Sequence, residues 1–183
     1  MIKKIILSVA LFSSIVYANS LTNSPFMSLK QEHELKMQVS PSQWQQALSE
    51  YESLKPMYKT LNNKYPFMQL YKNKQNVTNF LEGLKLIYSQ NKNIITGWIL
   101  LEEYLKTSSI YSEKQYFLYL KDDVNFLYNH KICQGYIFKG FQESYYRHNK
   151  QIAKTIYKRG IVACKVQWQT MMIRARLNSL LYQ

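Results

Sequence analysis

YYRHNKQIAKTIYKRG, residues 145–160, holds five Lys or Arg residues, three tyrosines and a histidine, and no acid. The two cysteines that flank it make it read as the elbow of a helical hairpin. Cys133 and Cys164 are the chain's only cysteines, and their midpoint falls between His148 and Asn149. If Arg147 to Lys150 forms the turn, each cysteine lies about 15 residues from the bend, roughly 22 Å along its helix. The sulfurs then face each other, in register for a disulfide. The same register sets Gly160 across from Ile137 and Gly140 across from Tyr157, small residue against bulky one. Closing such a loop stabilises a fold by about 3–4 kcal/mol in chain-entropy terms.

An even cysteine count suits an oxidising compartment, and the N-terminus supplies a route to one. MIKKIILSVALFSSIVYANS begins with Lys3 and Lys4, continues with an apolar stretch from Ile5 to Val16, and offers Val16 and Ala18 at −3 and −1 of a cleavage site. This predicts a secretory signal peptide over residues 1–18, cleaved after Ala18. The apolar stretch is short for a membrane span, and no later segment is apolar enough to cross a bilayer. No cysteine lies near the cut to carry a lipid anchor. The expected location is the periplasm.

Lys, Asn, Ile and Tyr are abundant, whereas Ala, Gly, Arg and Pro are scarce, which is the codon bias of an AT-rich genome. Part of the net charge of +13 is therefore compositional. Its distribution carries more information. Residues 19–123 hold 12 bases against 10 acids, and residues 124–183 hold 10 bases against Glu143 alone. So unbalanced a C-terminal half favours anionic surfaces.

Residues 19–39 are polar, contain Pro25 and lack an apolar repeat, which predicts a flexible leader ahead of one helical domain over residues 40–183. Ser40-Pro41-Ser42-Gln43 is a helix start, with Ser at the N-cap, Pro at the first helical position and Gln reaching back. Trp44, Ala47, Leu48, Tyr51 and Leu54 follow at three- and four-residue spacing. Pro56 is expected to kink or divide that helix. Phe80, Leu81, Leu84, Ile87 and Tyr88 mark a second helix over about 77–90, with Asn76 as its N-cap. Asn91 to Asn93 turn the chain into an antiparallel partner over 94–106. Ser112 with Gln115 repeats the capping spacing ahead of Phe117, Leu120, Val124 and Leu127. Helical signals run on to Tyr146, and again from Gln151 nearly to the end. No run of alternating residues with hairpin turns occurs, and five glycines and four prolines suit helices better than a sandwich.

On an uninterrupted last helix, Lys150, Lys154, Lys158 and Lys165 fall within about 80° of one another, with Tyr157 and Trp168 adjoining. These six residues are the candidate interaction surface: a lysine row bordered by two aromatic anchors. An acidic protein partner, a lipid headgroup or an anionic wall polymer would suit it. Few arginines and an exported location argue against nucleic acid.

Motifs for chemistry are sparse. His130 and Cys133 have ligand-like spacing, but two further ligands are lacking and a disulfide competes for the thiol. No metal, cofactor or catalytic residue is expected. Asp122-Asp123 and Glu102-Glu103 are neighbours that diverge on a helix rather than forming a dyad. His33 lies in the leader and His148 at the turn, both expected to be exposed. Glu143-Ser144 resembles the start of the catalytic motif in lysozyme-like lytic transglycosylases, where the glutamic acid is the general acid. The family's glycine-rich, Gln-ending continuation is replaced here by RHNKQIAK, and a Glu143 solvated beside Lys139 and Arg147 is the plainer reading.

Phe80 and Leu84 followed by Trp98, Leu101 and Leu105 resemble one degenerate tetratricopeptide unit, and Ala153, Tyr157 and Gly160 loosely resemble Sel1-type repeats. Each resemblance spans perhaps 30 residues and implies protein binding. In composition and export the chain also resembles periplasmic scaffold components of flagellar motors. The sequence thus predicts an all-α bundle or short solenoid of antiparallel helix pairs with a disulfide-stapled C-terminal hairpin. The expected role is a periplasmic interaction or scaffold subunit of a cell-envelope assembly. A binder of anionic envelope polymers is the alternative, and a lytic enzyme using Glu143 the third reading.

Overall fold

The computed structural model describes residues 26–111 and 120–181. Among them there are nine α-helices and no strand. The helices are α1 (Leu29–Lys36), α2 (Pro41–Lys64), α3 (Phe67–Leu70), α4 (Lys74–Gln90), α5 (Ile94–Tyr111), α6 (Lys121–Asn129), α7 (Cys133–Phe141), α8 (Lys150–Ala163) and α9 (Gln167–Leu181). Packing mostly follows chain order: α4 on α5, α5 on α6, α6 on α7, α7 on α8 and α8 on α9, with α2 laid across α4 and α5. The expected signal peptide and cleavage site, together with the expected Ser112–Gln115 cap, lie outside the described residues.

The stripes read from the sequence are the buried faces. Trp44, Ala47, Leu48, Tyr51 and Leu54 of α2, joined by Tyr58 and Leu61, meet Phe80, Leu81, Leu84, Ile87 and Tyr88 of α4 in one core. In α5, Ile94, Ile95, Trp98, Ile99, Leu100 and Leu101 are all buried. A helix apolar on every side belongs at the centre, with neighbours all round. Of the two outcomes expected at Pro56, division does not occur: Pro56 sits within an unbroken helix. Tyr51, Leu54, Tyr58 and Leu61, on both sides of it, are all buried in the core and hold both halves against it.

Three further expectations are corrected. The leader is structured from Phe26 onwards. Ser28 and Gln31 form a capping box that starts α1, Leu35 is fully buried, and Phe26 and Met27 enter the core. The Phe26 ring lies 5.2 Å from Tyr58 and 6.2 Å from Phe80. The packed domain therefore begins about fourteen residues before Ser40, counted on the sequence. The cap of α4 is Asn73 rather than Asn76: Asn73 Oδ1 accepts from the Asn76 amide at 2.8 Å. Asn76 Nδ2 instead donates to the Gln69 carbonyl at 3.0 Å. The third correction concerns the last helix, which is two helices.

A second, smaller core holds the C-terminal unit together: Tyr136, Ile137, Ala153, Ile156, Tyr157, Ile173, Leu177 and Leu180. The bridge is present, with Cys133 and Cys164 joined and their Cα atoms 5.1 Å apart. Between them α7 runs into a π-helical turn, Gln142–Tyr146. The chain then reverses at Arg147 to Asn149, where His148 takes a left-handed φ of 53°. The widened turn is closed by the Arg147 amide on the Gln142 carbonyl at 3.2 Å and the Asn149 amide on the Glu143 carbonyl at 2.8 Å. Asn149 Oδ1 then caps α8 through the Ile152 amide at 3.1 Å. The opening stretch is an elbow.

Candidate interaction surface

The elbow's tyrosines pack against the fold. Tyr145 stacks on Phe141 at 5.2 Å, and Tyr146 meets both rings edge-on at 5.2 and 5.8 Å. Arg176 of α9 lies over the Phe141 ring at 5.0 Å, a cation–π contact that ties the last helix to the elbow. Tyr157 is buried as well, and that corrects its reading as an exposed anchor: it is 1% exposed. Its ring occupies the space that a side chain at Gly140 would fill, and burial raises the pKa of its phenol. Tyr157 holds the hairpin together.

The lysines face outwards. Lys150 and Lys158 are exposed and Lys154 is half-exposed, one turn apart along α8. None of the three enters an ion pair among the described residues. Buried Ala153, Ile156, Tyr157 and Gly160 face the hairpin core, with Tyr157 on the flank of the row, so the core fixes which way the row points. Ile152 is exposed as well.

Lys165 and Trp168 are not on this row, because α8 ends at Ala163. Cys164 is extended, with ψ of 125°, and residues 164–166 form a bend before α9. Lys165 sits exposed in the bend. Trp168 sits in the first turn of α9, half-exposed, its indole N–H donating to Glu34 Oε1 at 2.9 Å. Glu34 also lies 3.9 Å from the ammonium of Lys30. Nearby, Gln38 Oε1 accepts from the amide of Cys133 at 2.6 Å. The segment that follows α1 thus braces the disulfide from outside, a contact between residues more than 90 positions apart that no local pattern signals.

Carboxylates are scarce on this surface. Glu143, the only acidic side chain after Asp123, is buried and paired with Arg147 at 3.1 Å, not solvated as the sequence suggested. The other acids lie elsewhere. Glu103 pairs with Lys106, and burial raises the pKa of Glu102. Asp122 is exposed, whereas Asp123 is buried, and burial pushes its carboxyl up to about 6. Cys133 is committed to the disulfide, which leaves His130 without its partner for a metal. His130 bonds through Nδ1 to the Phe126 carbonyl at 2.8 Å and stacks on that ring at 4.1 Å.

No known family model matches the chain, and no curated protein or solved structure is detectably similar to it. No helix among the described residues is long and apolar enough to cross a membrane.

Proposed function

We propose that this is an interaction protein, a scaffold or accessory subunit of a cell-envelope assembly, that docks an acidic protein partner on the basic face of its C-terminal hairpin. The supporting observation is the row Lys150, Lys154 and Lys158. It is fixed outwards by a disulfide-closed hairpin, has no salt bridge among the described residues, and shares its half of the chain with one carboxylate that is buried and already paired. Cations in such a field attract an anionic surface at long range and set the register of docking. The bridge and the export signal together suit the periplasm.

A row of ammoniums about one helical turn apart also fits a chain of regularly spaced negative charges, so an anionic envelope polymer is the second reading. Photo-crosslinking from Gln151 or Thr155, which border the row, distinguishes the two in cells. A discrete protein adduct that disappears when Lys150, Lys154 and Lys158 become Gln supports the docking reading. Glycan-only adducts would move the reading to the polymer, and adducts unaffected by the triple change would remove the row from both.

A further inference from the structure

The bend between α8 and α9 carries a second surface, which adjoins the lysine row at Lys158. Val162, in the last turn of α8, is 88% exposed, and Met171 of α9 is 62% exposed. Trp168 and Met172 are about half as accessible, and Ala175 continues their line. On α9, Trp168, Met171, Met172 and Ala175 lie on the face opposite buried Gln169, Ile173, Leu177 and Leu180. The helix is therefore apolar on two faces, one packed and one bare. Lys165 projects from the bend itself, Lys158 lies one turn before Val162, and Arg174 flanks the bare face. Glu34, the carboxylate that the Trp168 indole contacts, also lies beside Lys30.

We propose that this bend docks shallowly on an anionic lipid surface, with Val162, Trp168, Met171 and Met172 entering the headgroup boundary and Lys158, Lys165 and Arg174 meeting lipid phosphates. The inference goes beyond the proposed protein partner and does not depend on it. Charge complementarity selects the occupant. Cations flank an apolar patch whose contacting carboxylate, Glu34, is already paired, the pattern of interfacial helices on anionic membranes. Shape points the same way. The patch sits at a bend, with Val162 almost fully in solvent, whereas protein anchors usually fill pockets. The disulfide at Cys164 and the bond from Trp168 to Glu34 hold the bend rigid, so little ordering is lost on docking.

The protein carries its own reporter. Its three tryptophans are Trp44, Trp98 and Trp168; the first two are 0% and 2% exposed, so a change on binding reads Trp168. The experiment titrates the full chain, disulfide intact, with vesicles of phosphatidylcholine containing about 30% phosphatidylglycerol at low salt. Trp168 emission is expected to shift to the blue and lose acrylamide quenching, whereas pure phosphatidylcholine gives neither change. Val162→Gln with Met171→Gln and Met172→Gln, all at exposed positions and retaining Trp168, should lower partitioning on the order of tenfold. Lys165→Gln with Arg174→Gln should do so too, with a loss that shrinks as salt rises.

Unchanged Trp168 emission with saturating anionic vesicles overturns the proposal. So does vesicle association that the apolar triple variant leaves intact, since another part of the chain would then be binding. If poly-glutamate shifts the emission as fully as vesicles do, the bend reads charge alone and the lipid assignment fails. The lysine-row adducts of the protein-partner test are a separate readout, so either reading can fail without the other.

Discussion

The ring of Tyr157 lies where a side chain at Gly140 would be, with its Cδ1 2.8 Å from the position of a built Cβ. This contact lets α7 and α8 approach closely enough for the second core to close. In an open helix, Gly→Ala gains up to about 1 kcal/mol. Here the added methyl meets a ring that is itself 1% exposed and has little room to move. Gly140→Ala is therefore expected to destabilise the protein by roughly 1–3 kcal/mol, the usual range for overpacking. Chemical denaturation of the oxidised protein measures it, and a stabilised variant would show that the two helices can spread at little cost.

That contact was legible because an antiparallel hairpin has linear register: once the turn is placed, counting outwards pairs the residues. The bridge followed from the same count. Gly160 shows where counting stops working. Its space is taken by Tyr136 and Ile173 rather than Ile137, because neighbouring positions on a helix point in different directions and α9 returns over the pair. The end of α8 at Ala163 has neither Pro nor Gly to announce it; the pull of Cys164 towards Cys133 and the burial of Val166 are tertiary causes. The N-terminal helix could have been found. Ser28 and Gln31 form the same capping box that was recognised at Ser40 and Gln43, but a polar eight-residue helix with one fully buried leucine offers too weak a stripe.

The bond from Trp168 to Glu34 joins the first helix to the last at 2.9 Å. Trp168→Phe keeps an aromatic ring and removes the donor, which leaves a mostly buried carboxylate short of one partner. A loss of about 1–2 kcal/mol is expected, between the usual values for neutral and charged hydrogen bonds. The local consequence is more specific. Amide exchange should accelerate over residues 29–38 while the α4–α5 core is unaffected, because the bond and Gln38 are polar ties of α1 to the C-terminal unit. Uniform acceleration throughout the protein would mean that α1 does not open separately.

Asp123 sets a pH dependence. It is buried, one carboxylate oxygen has no hydrogen-bond partner among the described residues, and desolvation raises its pKa from 3.8 to about 6. Asp122 pushes in the same direction, and Lys85 and Lys92 oppose it. A folded-state pKa above the unfolded value means that the folded form binds the proton more tightly. The stability contributed by protonation is fully present below about pH 4 and is lost as pH rises through about 6. Asp123→Asn is isosteric and cannot ionise. It should stabilise the protein at pH 7 by about 1–3 kcal/mol and flatten this component between pH 4 and 7. Melting temperatures across that range provide the comparison, and an Asn variant weaker than the parent at pH 7 would show that the charged form has a partner worth more than its burial.

Glu143 separates scaffold from enzyme. Its side chain is buried against Arg147 at 3.1 Å, within the π turn whose backbone shapes the elbow. Glu143→Gln keeps the shape and the hydrogen-bonding capacity but removes the charge. Arg147 is nearly half exposed and can rehydrate, so the stability loss should be about 1 kcal/mol or less. An interaction protein would then keep its partner adducts and its cellular role. A lytic enzyme with Glu143 as general acid would lose about 100- to 10,000-fold in activity, the range such acids supply. The expected result is a variant that folds, forms its disulfide and retains adducts at the lysine row and a wild-type phenotype. Replacing Lys150, Lys154 and Lys158 should remove both adducts and phenotype. If Glu143→Gln abolished the phenotype while folding and adducts persisted, the scaffold reading would give way to catalysis at the elbow.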